Sequence, residues 1–136
     1  MVSIYIAALN VLLHMKLRFD HQSIRLRVRK SDLEKLGRLG YIQETIQFPT
    51  GMLIYRLETN SEQDLAQVFM SQNTITVILP ANQANAWVDS EDVGIYATLP
   101  TNQTDILLEL IIEKDFPCKH GSAHDNADTF EELSKS

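Results

Sequence analysis

The sequence predicts an α+β fold, mostly antiparallel β, in which two ββαββ halves form a sheet or closed barrel with two short helices. Three observations carry this. Ser23–Arg29 reads SIRLRVR, with Ile24, Leu26 and Val28 alternating against Arg25, Arg27 and Arg29, the period of a strand with one buried face. Two short helix signals, at Ser31 and at Pro80, each stand between pairs of strand-like runs. The order of elements then recurs, with Ile24–Ser31 aligning on Thr74–Ala81.

In order along the chain, Lys16–Phe19 forms a hairpin with Ser23–Arg29 across a turn over Asp20–Ser23, whose Asp and Ser favour turning. Ser31 followed by Glu34 reads as a capping box, Leu33 and Leu36 share a face, and Gly37 or Gly40 ends the helix. Tyr41–Phe48 and Met52–Glu58 flank the turn Pro49-Thr50-Gly51 as a second hairpin, and Asn60–Asp64 is a polar loop. Leu65–Met70 and Thr74–Leu79 form the third hairpin. Pro80 falls in the first turn of a helix over Ala81–Trp87, where its missing amide hydrogen is not needed. Val93–Leu99 and Ile106–Glu113 close the fold, the last being apolar on both faces and therefore central in its sheet. The expected core comprises Leu26, Val28, Leu36, Ile46, Ile54, Val77, Trp87, Ile95, Leu108 and Ile111.

The domain boundaries follow. Residues 15–116 form a single α+β domain, 117–136 an acidic, flexible tail, and 1–14 a dispensable extension, because MKLRF from Met15 already supplies a first strand. Hydrophobic residues make up 44% of the chain and charged ones 22%, a globular composition that excludes disorder over the whole length. No apolar run is long enough to span a bilayer, and the lone Cys118 cannot form an internal disulfide. These point to a cytoplasmic protein with no membrane partner.

Charge is unevenly spread. Eight Lys and Arg between Lys16 and Arg38 meet only Asp20, Asp32 and Glu34, which leaves that segment at +5 within a chain of −6. The candidate anion-binding residues are Arg25, Arg27 and Arg29, a cationic row whose alternate spacing of about 7 Å suits successive phosphates or carboxylates. The competing reading is a solvated strand face whose arginines pair with acids of a neighbouring strand, such as Glu44 or Glu58. Acids of the tail could also lie on the row while Phe130 docks in an apolar groove.

The stretch MKLRFDHQSIRLRVRKSDLEKLGRLGYIQETIQF, with ITVILPANQANAWVDSEDVGIYA and LLELIIEKDFPC further on, resembles a small bacterial family of unknown function whose members open MKxRxxxNSIRLRL. That resemblance runs from Met15 to about Cys118 and implies a fold but no activity. HQSIRLRVRKSDLEKLG and ITVILPANQANAW also resemble swapped-hairpin domains of the AbrB and MazE type. This second resemblance implies that one chain imitates a dimer of ββαββ units.

No catalytic residues are assigned, because the acids form no evident acid–base pair and no glycine-rich phosphate loop is present. Cys118, His120 and His124 are zinc-ligand types, but their spacing matches no standard module. No metal or cofactor is expected. The leading expectation is a non-enzymatic binding module with an anionic partner on Arg25, Arg27 and Arg29. The alternative is a small enzyme, or a binder of a small anionic ligand, using the same arginines inside a barrel lumen.

Overall fold

Each half of the chain gives one hairpin to each of two sheets. The computed structural model describes residues 15–115 and 128–133. The first half comprises β1 (Lys16–Asp20), β2 (Ser23–Val28), α1 (Lys30–Leu39), β3 (Tyr41–Phe48) and β4 (Gly51–Asn60). The second comprises β5 (Gln67–Ser71), β6 (Thr74–Pro80), α2 (Ala81–Val88), β7 (Gly94–Pro100) and β8 (Leu107–Lys114). One sheet has the order β1-β2-β8-β7 and the other β3-β4-β6-β5. The hairpins are antiparallel, but the central pairs β2–β8 and β4–β6 run parallel. The fold is therefore α+β with two mixed four-stranded sheets. The expected closed barrel is not formed, and the antiparallel expectation fails at the two junctions where hairpins from opposite halves meet.

The two halves match at the level of single hydrogen bonds. His21 and Gln72, at the tips of β1–β2 and β5–β6, both take positive φ (52 and 54). Gln22 O accepts from Glu109 N at 3.0 Å, and Asn73 O accepts from Ile54 N at 2.8 Å. Beyond the helices, Gly40 O accepts from Thr59 N at 3.0 Å and Val93 O from Lys114 N at 2.9 Å. These pairs place Ser23 opposite Thr74, one residue away from the alignment that the sequence alone suggests.

Inward-facing residues of both sheets share one core, with Leu26, Val28, Leu57, Val77, Leu79, Leu110 and Ile112 all but inaccessible. Leu26, Val28, Leu36, Val77, Trp87 and Ile95 are buried, as the apolar phase of their segments predicts. Four expected core residues do not. Tyr55 and Leu57 take the inner phase of β4 in place of Ile54, and Leu110 and Ile112 take that of β8 in place of Ile111. Leu108 keeps the inner phase but is only half-buried. Ile46 is exposed, as are Phe48 and Met52, because the β3–β4 tip overhangs the core. As expected, β8 is central in its sheet.

The helices begin differently from the sequence reading. Arg29 is the N-cap of α1, and its N–H donates to Asp32 Oδ2 at 2.9 Å. The acid that closes the first turn is thus Asp32, not Glu34, and Ser31 is left for another partner. Gly40 ends α1 in the left-handed region (φ 83), where a side chain would be strained. Pro80 ends β6 and is the N-cap of α2, one position before the helix. Trp87 is buried and its Nε1–H donates to Val93 O at 3.1 Å.

Tyr55 joins the sheets: it is buried, and its hydroxyl donates to Met15 O at 2.5 Å. Desolvation, reinforced by Glu44 and Asp32, pushes the phenol up to about 12. A raised folded-state value means that the contribution is intact below pH 10, where the unfolded chain also keeps its proton, and is lost as pH rises from 10 through 12. Spectrophotometric titration should therefore show a phenol ionising near pH 12 and a fall in urea midpoint over that window. In Tyr55→Phe the late-ionising phenol should be missing. Its persistence would contradict the assignment.

Candidate functional site

Alternation along β2 turns Leu26 and Val28 inward, so Arg25 and Arg27 stand on the outer face of the β1-β2-β8-β7 sheet. Register extends the cationic row sideways: Arg18 of β1 is the direct cross-strand partner of Arg25, and Lys16 that of Arg27. Like charges placed directly opposite in a sheet repel. Arg25 and Arg27 reach Glu113 of β8, with Nε to Oε1 distances of 3.5 and 3.9 Å, and both arginines remain about a third exposed (33% and 34%). Arg18 is exposed and makes no ion pair among the described residues. With Asp20, Ser23 and Arg25 it lines a recess of about 100 Å³ at the hairpin end of the face.

Glu113 is held from a second side. The Tyr96 hydroxyl donates to Glu113 Oε2 at 3.0 Å. Burial raises the Tyr96 phenol, and the hydrogen bond and charge of Glu113 raise it further. Gly94, the cross-strand partner of Glu113, leaves the room for this. A Cβ at Gly94 would lie 2.5 Å from Ile112 O, 2.9 Å from Glu113 Cγ and 3.1 Å from the Tyr96 hydroxyl.

Arg29 is not part of the exposed row. The strand ends at Val28 and α1 starts at Lys30, and the change of backbone direction turns Arg29 inward until its side chain is 3% exposed. Its NH1 lies 3.8 Å from Asp115 Oδ2 and its Nε 3.6 Å from Asp128 Oδ2. Lys16 Nζ reaches the same Asp115 oxygen at 3.1 Å. Among the described residues, Glu113 meets Arg25 and Arg27, Asp115 and Asp128 meet Arg29, and Glu58 meets Arg56 instead.

The buried polar residues among those described, Arg29, Asp32, Lys114, Asp115 and Thr129, gather in one place. They lie where the parallel strands β2 and β8 end and α1 begins. The Ser31 N–H donates to Asp128 Oδ1 at 2.9 Å and the Ser31 hydroxyl donates to Asp128 Oδ2. Burial raises the Asp32 carboxyl, opposed by the hydrogen bond from Arg29 N and the charge of Lys35. Lys114 donates from Nζ to Ser90 O at 2.6 Å, and Nζ lies 6.0 Å from the Trp87 ring centroid and 5.5 Å from that of Phe130. Burial pushes this ammonium down, while Glu132, Asp92 and Glu91 oppose the change. At the matching junction of the second half, Leu79 and Pro80 replace Val28 and Arg29, and Thr59 and Asn60 replace Lys114 and Asp115. Only the first junction is charged.

Sequence reasoning finds Arg25 and Arg27 but not Arg18 or Lys16, which become neighbours only through the hairpin register. Cys118, His120, His124 and residues 1–14 lie outside the described residues. No group of three metal-ligating side chains occurs among the described residues. No helix among them is long and apolar enough to cross a membrane.

No curated protein and no solved structure matches the chain. Residues 15–134 match a family of unknown function, DUF7009. That span takes in both hairpin exchanges, the arginine face and the segment carrying Asp128 and Phe130, and the chain belongs to this family.

Proposed function

We propose that the chain is a non-enzymatic binding module that takes an anionic macromolecule on the outer face formed by Lys16, Arg18, Arg25 and Arg27. The observation that carries this reading is the cross-strand pair Arg18–Arg25 beside an open recess. Two guanidinium groups side by side on a solvated face repel, and an anion between them turns that repulsion into two charge-assisted contacts. The recess of about 100 Å³ adjoins a second of about 390 Å³ that shares Asp20 and Ser23 but is lined by no arginine, so the cationic part of the face is shallow. An extended polyanion laid across the strands suits the face better. Arg29 belongs to the buried junction and is not a contact residue in this reading. Glu113 holds Arg25 and Arg27 in place and lowers their net charge, which keeps affinity modest in a chain of −6.

The test is binding of heparin and of duplex DNA to the full chain across a salt series. The wild type should bind at low salt and weaken as salt rises. Arg18→Ala with Arg25→Ala should reduce the slope of log affinity against log salt by about 2, roughly one per lost phosphate contact. Wild-type binding that survives the double substitution unchanged would place the partner elsewhere, and no binding at low salt would remove the reading.

A further inference from the structure

We infer that the start of α1 and the end of β8 form a recognition site for a peptide carrying an acidic residue two positions before an aromatic one, occupied here by the chain's own Asp128–Leu133 segment. This inference rests on the buried junction, which shares Lys16 with the polyanion face.

The segment is held as a bound peptide is held. Its carboxylate, Asp128, sits at the N-terminus of a ten-residue helix, accepting from the Ser31 N–H and hydroxyl and lying beside Arg29. Two main-chain bonds fix its direction: Lys30 N donates to Asp128 O at 3.3 Å, and Phe130 N donates to Asp115 O at 2.8 Å. The aromatic anchor, Phe130, is 7% exposed and covers Lys114. Leu133 follows on a short 3-10 turn and packs against the core. No strand of either sheet pairs with the segment. A charged clamp, one aromatic anchor and a few main-chain bonds are the elements by which folded domains read short motifs.

The occupant also leaves the site incompletely satisfied. Arg29 Nε is buried without a hydrogen-bond partner. The Arg29–Asp128 approach of 3.6 Å is longer than the 2.7–2.9 Å typical of a charge-assisted bond. Asp128 thus neutralises Arg29 without engaging it fully. Arg29, Lys16 and Lys114 stand beside Asp32 and Asp115, which leaves one positive charge for a monoanionic side chain to match. This favours a carboxylate-bearing peptide over a dianion.

The experiment uses the full chain with Asp128→Asn and Phe130→Ala, which empties the site, and a fluorescent peptide of residues 126–134. The peptide should bind the emptied chain saturably. It should bind the wild type at least about tenfold more weakly, because a tethered ligand competes at roughly millimolar local concentration. A peptide with both residues replaced should not bind. Absence of saturable binding to an emptied chain with a native circular dichroism spectrum would overturn the inference, as would equal binding to both chains. If the emptied chain does not fold, amide exchange in the wild type decides. Phe130 N–H exchanging at least a hundredfold faster than the central-strand amide of Ile112 supports a displaceable segment, whereas exchange at the same rate makes it a fixed part of the fold.

Discussion

Replacing Arg29 with Met is expected to destabilise the protein by about 3–5 kcal/mol, the cost of removing one partner from a buried ion pair. Methionine keeps most of the buried stem, so the loss is chiefly electrostatic. Among the described residues, Asp115, with a side chain 4% exposed, would keep Lys16 as its counter-ion, and the Asp128 carboxylate would keep its Ser31 bonds. The urea midpoint should fall accordingly. Adding Asp115→Asn and Asp128→Asn should recover part of the loss, because the orphaned charges are then removed. A midpoint unchanged by Arg29→Met would show that the arginine is not buried among these acids. Arg25→Met offers the comparison: its side chain is 33% exposed, and exposed pairs contribute only about 0–1 kcal/mol.

Leu57→Ala should be comparably severe, at about 2–5 kcal/mol, because Leu57 is fully inaccessible at the centre of β4 and its removal leaves a cavity. Ile54→Ala, on the opposite phase of the same strand, should cost clearly less. The pair measures which face of β4 is inside. Chemical denaturation that ranks Ile54 above Leu57 would reverse the inner and outer faces of the β3-β4-β6-β5 sheet.

Local signals account for what was legible. Alternation marks β2 and β6, turn residues mark the hairpin tips, and Gly40 marks the end of α1, all through interactions within a few residues. The element order followed from these alone. Pairing between hairpins did not, because β2 meets β8 and β4 meets β6 across the halves, and a parallel contact leaves no short-range mark. Strict alternation put Arg29 on the same face as Arg25 and Arg27, but the strand stops one residue short of it and the helix turns it inward. Glu113 and Asp115 close an apolar run that reads only as a central strand, so their meeting with the arginines depends on the same unseen pairing. In β4 and β8, nearly continuous apolar sequence conceals the phase, so Ile54 and Ile111 look as much like core residues as their buried neighbours. Phe130 was visible as the large apolar residue of an acidic tail, whereas its seat beside Lys114 was not.

Residue-resolved NMR of the full chain titrated with a short sulfated oligosaccharide at low salt tests the binding face most directly. The account predicts saturable shifts centred on Lys16, Arg18, Ser23, Arg25 and Arg27, diminishing as salt is added, with the buried amides of Ile112 and Val77 unmoved. Shifts centred on the β3-β4-β6-β5 sheet, or none at any oligosaccharide concentration, would contradict it.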